Sequence, residues 1–171
     1  MPTVPTYADA SAPHSAPFAP SAPLLRLHNP RGLYDPQPHG YSHLAIVSPP
    51  ARVVHIAGQG GEDAAGRLAP GFDAQVHQAL RNLGVALSAA GATPSDVARL
   101  TVLVVDHSEA RLAVFSRALM AMWGEAPTPA CTLVPVPRLA LDGMLFEIDA
   151  TAYLRPEADT ESPREASPAT P

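Results

Sequence analysis

The sequence predicts an α+β domain in which a mixed β-sheet carries two helices on one face. Two segments, Phe72 to Gly91 and Glu109 to Trp123, repeat their apolar residues at three- and four-residue steps, the period of an amphipathic helix. Short apolar or alternating segments, which are typical of strands, lie between and around them. The predicted order is β-β-α-β-α-β-β. Because hairpins are predicted at both ends, a mixed sheet with both helices on one face is the simplest arrangement.

The composition indicates one folded domain with a flexible arm at each end. A chain of 171 residues with 46% hydrophobic residues can build one core, but 21 prolines exceed what one compact domain places in turns. Residues 1–24 are rich in Ala, Pro and Ser, and residues 156–171 alternate acids with Ser and Pro. Such segments cannot bury enough apolar surface to offset their chain entropy. We therefore expect disordered segments at 1–24 and 156–171 around a single domain at 25–155.

The first half of the domain begins with a segment of turns. Residues Leu25 to Gly40 are interrupted by Pro and Gly, and this segment is interpreted as a lead-in. His43 to Ser48 and Arg52 to Gly58 are predicted to form an antiparallel hairpin across Ser48-Pro49-Pro50. The first helix then follows, and Gly91 is its natural C-terminal stop.

The second half contributes three predicted strands. Leu100 to Val105 is a continuous apolar run, which predicts a buried central strand. After the second helix, Pro129 to Val136 and Met144 to Tyr153 are expected to pair with each other. That pairing would place Cys131 and Glu147 in neighbouring strands, and this is where the sequence predicts chemistry.

Alternation along the last strand suggests which residues are exposed. Phe146 and Ile148 fall on one side, whereas Glu147 and Asp149 fall on the other. No third helix is available to cover that second face of the sheet. The chain is therefore expected to form a closed homo-oligomer with ligand sites in the clefts between subunits.

Charge and residue inventory exclude several classes of function. The net charge is −5 and no basic cluster occurs, which disfavours a nucleic-acid partner. All eleven basic residues are arginine, so Schiff-base catalysis by lysine is excluded. The single cysteine, the lack of a signal peptide and the lack of a membrane-length apolar run predict a soluble cytoplasmic protein without a membrane partner.

Two motifs resemble cofactor sites, but their context does not support a metal or a nucleotide. His39 and His43 stand four residues apart, but Pro38 and Gly40 disfavour the helix that would bring both imidazoles to one metal ion. The Gly58 to Gly61 segment follows a strand, yet the helix begins more than ten residues later and no Lys-Ser/Thr pair follows. We therefore expect no metal and no organic cofactor, with backbone amides at this glycine-rich turn still open to a ligand.

For Cys131 and Glu147 the residues alone leave two interpretations open. An isolated cysteine in an apolar strand is often a small buried hydrophobe, and Glu147 could be an exposed strand carboxylate like Asp149. A catalytic thiol would instead need a nearby base or cation to lower its pKa. The candidates for that group are His43, His55, His107 and Arg138.

Several strings, in this order and spacing, resemble the RidA family, also called YjgF/YER057c/UK114, over about Asn29 to Tyr153. The strings are Gly40-Tyr41-Ser42-His43, Ile56-Ala57-Gly58-Gln59, Gln78-Ala79-Leu80-Arg81-Asn82-Leu83, Pro129-Ala130 and Phe146-Glu147-Ile148-Asp149-Ala150. The resemblance implies a chorismate-mutase-like fold and a homotrimer that binds small metabolites in three clefts between its subunits. It also implies hydrolysis of imines and enamines such as 2-iminopropionate, without a cofactor.

One departure from the family pattern bears on activity. Archetypal members carry Pro-Ala-Arg-Ser, whose arginine holds the substrate carboxylate, whereas this chain has Pro129-Ala130-Cys131-Thr132. A thiol cannot replace a bidentate guanidinium, so the resemblance implies weak or absent activity on 2-iminopropionate. Ser116 falls near a position where the family often has asparagine, and His43 stands where glutamine is common.

Two functions are therefore carried forward. In the first, the chain is an enzyme for an imine, enamine or related carbonyl compound, in which Glu147 activates water and Cys131 is a proton donor or nucleophile. The predicted substrate-binding residues are Tyr41, His43, Gly58, Gln59, Ser116 and Arg138. In the second, the same cleft of a non-catalytic trimer binds a metabolite or another protein. A ribonuclease activity is disfavoured because the chain is acidic.

Overall fold

The computed structural model describes residues 23–156, which form six strands, two α-helices and two short 3-10 turns. The strands are β1 (Leu25–His28), β2 (Leu44–Val47), β3 (Arg52–Gly60), β4 (Val97–Val105), β5 (Ala130–Val136) and β6 (Phe146–Leu154). The helices are α1 (Gly71–Ala89) and α2 (Glu109–Trp123), and the 3-10 turns are Gln37–His39 and Pro94–Asp96. Apart from residues 23, 24 and 156, the two arms expected to be disordered lie outside the described residues.

Four strands form one mixed sheet in the order β3-β6-β4-β5. Strand β6 is antiparallel to both β3 and β4, whereas β4 and β5 are parallel. The parallel pair follows from the chain order, because α2 forms the crossover that parallel neighbours require. The α+β class with a mixed sheet and two helices is therefore confirmed.

The strands at the N-terminal end pair differently from the expectation. Strand β2 pairs with β1 as a separate two-stranded antiparallel sheet, and it is not hydrogen-bonded to β3. The expected hairpin across Ser48-Pro49-Pro50 is thus wrong as a strand pair, and the segment interpreted as a lead-in contains a short strand. In β1, Leu25 and Leu27 are partly buried while Arg26 and His28 are exposed, a pattern too short to stand out in sequence.

The expected pairing of the Cys131 strand with the Glu147 strand is also wrong. Strand β4 lies between them and pairs with both. A central position suits this apolar strand, because it buries the side chains of Leu100, Val102 and Val104. Each of them is at most 1% exposed.

Both helices cover one face of the sheet. Residues from both helices and from alternate positions of β4 and β6 form one apolar core, in which Leu83 of α1, Leu119 of α2 and Phe146 of β6 are fully buried. The ring of Phe72 meets that of Phe146 edge to face at 5.9 Å. The other face of β6 carries Glu147 and Asp149, as its alternation predicts. We refer to that second side as the open face.

A buried glutamine joins α1 to the start of β6. Gln75 is 2% exposed, and its Nε2 donates to Gly143 O at 2.9 Å while its Oε1 accepts from Leu145 N at 2.7 Å. The helix can come this near because Gly61 has no side chain, since a Cβ atom there would lie 2.7 Å from Gln75 Cα. Gln75 therefore fixes the backbone that leads into Glu147.

Replacing Gln75 by leucine should lower the free energy of unfolding by about 2–4 kcal/mol, because Leu145 N and Gly143 O lose their partner in a buried place. Urea denaturation at one fixed protein concentration measures this loss. The matched control is His77→Ala, whose exposed side chain lies on the same helix; its expected effect is below about 0.5 kcal/mol. Equal stability of the two variants would contradict the role given to Gln75.

Candidate functional site

The segment 34–43, which we call the strap, lies along α2 and the start of β5. The Oγ atom of Ser116 donates to His39 O at 3.0 Å. Ser42 is buried, and its backbone N donates to Pro129 O at 3.0 Å while its Oγ donates to Thr128 O at 2.6 Å. Ser116, expected among the substrate-binding residues, therefore has its hydroxyl engaged in holding the strap.

Between the strap, α2 and β5 lies a pocket of about 480 Å³, which we call the strap pocket. Its walls include Tyr34, His39 and Tyr41 from the strap, Leu112 and Phe115 from α2, and Cys131 from β5. A volume of this size falls within the usual range for small-molecule sites. Tyr41 and Cys131, both expected at the site from sequence, thus lie in one cavity.

Four rings of the strap support one another. The Tyr34 and Tyr41 hydroxyls are hydrogen-bonded, and the Tyr34 ring lies edge to face with His39 at 6.1 Å and with His43 at 5.2 Å. His43 also donates from Nε2 to Tyr34 O at 2.9 Å, and its backbone N donates to Asn29 Oδ1 at 2.8 Å. The His43 imidazole therefore supports the rings of the pocket without being part of its lining.

The thiol of Cys131 is half-buried against the apolar core. Burial raises its pKa to about 12, although the charge of Arg99 acts in the opposite direction. At neutral pH the sulfur is therefore protonated, which suits a proton donor or a packing group and not a thiolate nucleophile.

A second cavity, of about 840 Å³, lies where the end of β3 meets α1 and β6, and we call it the Glu147 pocket. Asn82 shapes it by donating from Nδ2 to Gly60 O at 3.0 Å and to Glu62 O at 2.8 Å. Gln59 also lines it, with its side-chain amide donating to Ala57 O at 3.0 Å. The helix α1 thus holds the glycine-rich end of β3 in place.

The carboxylate of Glu147 lies directly against the backbone of Gly58. A Cβ atom at residue 58 would overlap Glu147 Oε1, so this approach requires glycine. Burial raises the pKa of Glu147 above its ordinary value, and the nearby charges of Glu62 and Asp149 raise it further. A carboxyl group with a raised pKa in a cavity is better suited to give and take protons than an ordinary exposed carboxylate.

The expected site residues divide into two groups within one chain. Tyr41 and Cys131 line the strap pocket, whereas Gly58, Gln59 and Glu147 line the second cavity.

The register explains this division. Cys131 pairs with Leu100, a buried residue of the helix-covered face, while Glu147 pairs with Leu103 on the open face. Because successive residues of a strand point to opposite faces, the two side chains project to opposite sides of the sheet.

Arg138 lies in neither cavity, because its guanidinium is exposed and pairs with Asp142 Oδ1 at 3.1 Å. Tyr34 and His39 were not predicted as pocket residues, and their segment has no periodicity that could have shown it. In residues 23–156, no group of three or more His, Cys, Asp or Glu side chains is arranged to hold a metal ion.

Gly58→Ala should move the Glu147 carboxylate away from the backbone and into solvent. Since burial is the main cause of the raised pKa, the Glu147 pKa should fall toward its ordinary value, as measured by NMR titration of the side-chain carboxyl carbon. In Gly58→Ala/Glu147→Asp, the shorter acid has room beside the new methyl group. The pKa of the aspartate in this double variant should stay above its pKa in Glu147→Asp alone, because the methyl group at residue 58 covers the carboxylate. An unchanged Glu147 pKa in Gly58→Ala would show that this contact is not what holds the carboxylate.

Comparisons with known proteins were consistent with this geometry. A family model described as Endoribonuclease L-PSP matches residues 35–154. The 2-iminobutanoate/2-iminopropanoate deaminase of Rattus norvegicus is 41% identical over 71 residues, which are 40% of this chain and 50% of that protein. The chain thus matches only half the length of this curated relative.

Solved structures are similar over more of the chain. A Rid family protein of unknown function, YyfB from Yersinia pestis, is 41% identical, with a TM-score of 0.72 over 77% of this chain and 99% of that chain. RidA from a Psychrobacter species is 32% identical, with a TM-score of 0.56 over 67% and 88% of the two chains. Escherichia coli TdcF, solved with bound serine, is 26% identical, with a TM-score of 0.54 over 62% and 83%.

In the part of the chain that the structure describes, no helix is long and apolar enough to cross a membrane. The family model spans nearly all of the folded domain, from the strap to the end of β6. The YyfB similarity extends over almost the whole of that protein. The chain therefore belongs to the Rid family, the RidA/YjgF/YER057c/UK114 proteins whose family model is described as Endoribonuclease L-PSP.

Proposed function

We propose that this protein is a cofactor-independent enzyme that hydrolyses imines, enamines or related carbonyl compounds, with little activity on 2-iminopropionate. The observation that carries the proposal is the Glu147 carboxyl, held against Gly58 in a cavity with a raised pKa. The name of the rat relative, a 2-iminobutanoate/2-iminopropanoate deaminase, supports imine chemistry in this family.

The proposed chemistry needs one group that can both accept and donate a proton. Glu147 removes a proton from water as the oxygen adds to the carbon of the C=N bond, which gives a carbinolamine. The same carboxyl then returns this proton to nitrogen, which completes the carbinolamine. It next carries the hydroxyl proton to nitrogen as the C–N bond breaks, so that the carbonyl forms and ammonia leaves. A pKa raised above the ordinary carboxyl value brings both protonation states closer to working pH, which favours the two steps alike.

The strap pocket explains the low activity expected on acidic imines. Its described lining contains no arginine, and the thiol at residue 131 is protonated. Burying a carboxylate there without a cation would cost several kcal/mol. Arg99 influences Cys131 electrostatically and contacts Thr132 Oγ1 at 3.4 Å, so any residual binding of carboxylates would depend on Arg99.

A homotrimer would bring the residues of the strap pocket and those of the Glu147 pocket together in one cleft. One chain directs Cys131 and Glu147 to opposite sides of its sheet, whereas the strap pocket of one copy could meet the Glu147 pocket of the next. Apolar side chains on the open face, Val53 at 46% and Val134 at 37% exposed, support burial of that face between copies.

The alternative is a trimer that binds a metabolite without converting it. The protonated state of Cys131 favours this reading for the strap pocket, and TdcF was solved with serine bound. The raised pKa of Glu147 favours the enzyme, because a purely binding site gains nothing from a carboxyl that takes up a proton more readily. Turnover decides between the two functions.

The test generates 2-iminopropionate in situ with an amino-acid oxidase and follows its decay. Wild type should accelerate the decay little, and Cys131→Arg should gain at least about tenfold, since a charge-assisted hydrogen bond contributes about 1.5–3 kcal/mol. Adding Glu147→Ala to Cys131→Arg should abolish the gain. Cys131→Ser, which changes the sulfur without adding a cation, is the matched control and should stay at the wild-type rate. Rapid turnover by wild type that Arg99→Gln removes would contradict the missing anchor and assign that role to Arg99.

The assembly can be measured separately. Native mass spectrometry should give about three times the chain mass of 17.8 kDa. Val134→Arg, which places a charge on the open face, should shift the population to smaller species. Ala121→Arg is the control, because Ala121 is exposed on α2; it should leave the mass unchanged. A monomeric wild type would contradict the shared cleft.

A further inference from the structure

The strap pocket presents aromatic rings that are held in place and yet remain accessible. Tyr34 is 62% exposed, although its hydroxyl bonds to that of Tyr41 and its ring meets those of His39 and His43. The His43 Nε2 bond to Tyr34 O at 2.9 Å also fixes the backbone at this point. A large ring that is positioned in advance loses little conformational entropy when a ligand covers it.

Apolar side chains form the other side of the same cavity. Leu112 and Phe115 extend from α2, and Leu133 follows from β5. Phe115 is 3% exposed, so its ring is held in the core and forms a rigid wall of the cavity. The strap rings and these side chains together enclose a space suited to a flat, apolar group.

The polar groups of the cavity carry no fixed charge. Among the described lining residues there is no Arg, Asp or Glu, and the polar atoms belong to two phenols, one imidazole, one hydroxyl and one thiol. The thiol is protonated because burial raises the pKa of Cys131 to about 12. All of these groups can exchange hydrogen bonds with a neutral ligand, but none of them is a permanent cation like the guanidinium that would hold a carboxylate.

We propose that the strap pocket binds a neutral, flat, unsaturated ring through the Tyr34, His39 and Tyr41 rings and the apolar side chains of α2. As a statement about the substrate, this inference rests on the proposed function: the ring is the part of the substrate by which the enzyme holds it, in place of a carboxylate. The reactive imine or carbonyl group is then a substituent of that ring.

Charge discriminates against the two ionic alternatives. An anionic ring would lose its hydration without gaining a cation, which costs more than ring contacts return. A cationic ring would gain cation–π contacts of about 0.5–1 kcal/mol at exposed rings, but it would find no carboxylate in the described lining. The neutral ring gains the same apolar contacts without either loss.

Three probes that share one ring test the inference on the full chain at pH 8: benzamide, benzoate and benzylamine. Titration calorimetry or ligand-observed NMR should show benzamide binding at least tenfold more tightly than the two charged probes. Tyr34→Ala should weaken benzamide binding at least fivefold, and Tyr34→Phe, which keeps the ring, should retain most of it. Leu141→Ala, at an exposed residue that lines neither cavity, should leave it unchanged. Cys131→Arg should shift the preference toward benzoate.

Equal or tighter binding of benzoate by wild type would overturn the inference, and so would the absence of benzamide binding. Insensitivity to Tyr34→Ala, with circular dichroism showing a folded variant, would overturn it as well. Failure of the proposed function looks different: benzamide binds as expected, but neutral ring imines are hydrolysed no faster by wild type than by Glu147→Ala. Conversely, Glu147-dependent hydrolysis without preference for neutral rings would overturn the ring pocket alone.

Discussion

The position of β4 between β6 and β5 is the constraint on which the site depends. This strand pairs along its length on both sides, and its alternate side chains fill the middle of the core. Its register places Leu100 opposite Cys131 and Leu103 opposite Glu147. Since side chains alternate between faces with a period of two, a slip of one residue in either pairing would reverse the face of a whole strand. The strict division of the two side chains is therefore a consequence of pairing alone.

The two cavities differ in the chemistry that they offer. The strap pocket has neutral polar groups and aromatic walls, so it contributes shape and hydrogen bonds. The Glu147 pocket contains Glu62, Glu147 and Arg81, so it offers charged groups and a carboxyl with a raised pKa. In the proposed assembly the strap pocket is the binding half and the Glu147 pocket the reacting half, since within one chain the two cavities lie on opposite sides of the sheet. Assembly of copies would then be part of building the site.

Local signals predicted the two helices and the alternation of β6 well. The second helix begins after Ser108, whose Oγ accepts from Arg111 N at 3.2 Å, and ends before Gly124 at φ +61°, and both boundaries are readable in the sequence. The alternation of β6 correctly separated Ile148 from Glu147. These features depend on residues near one another in the chain, which is why the sequence alone was sufficient for them.

Which strands are neighbours in the sheet could not be predicted from such local patterns. Whether β5 joins β4 or β6 depends on how α2 crosses the sheet, and no local pattern in β5 encodes that crossing. The position of Arg138 outside both cavities could not be predicted for a similar reason. It lies close in sequence to Cys131, but its loop turns outward and Asp142 takes its guanidinium. Tyr34 is the opposite case, because it is distant in sequence from β5 yet lies at the same cavity.

The pKa shifts of two carboxylates near the end of β3 have opposite effects on how the stability of the fold depends on pH. Asp63 accepts hydrogen bonds from Arg67, which lower its pKa below the ordinary value of 3.8, so its contribution is present above that value and is lost as the pH falls through the folded pKa. The pKa of Glu147 is raised above 4.5 in the folded state, so the folded state holds the carboxyl proton more tightly than the unfolded state does. The stability that this proton contributes is lost as the pH rises from about 4.5 through the folded pKa. Ionisation of Asp63 therefore supports the fold, whereas ionisation of Glu147 opposes it. The fold tolerates this cost at Gly58, where the lack of a side chain lets the Glu147 carboxylate reach the backbone, and a raised pKa in a cavity is typical of proton-transfer groups.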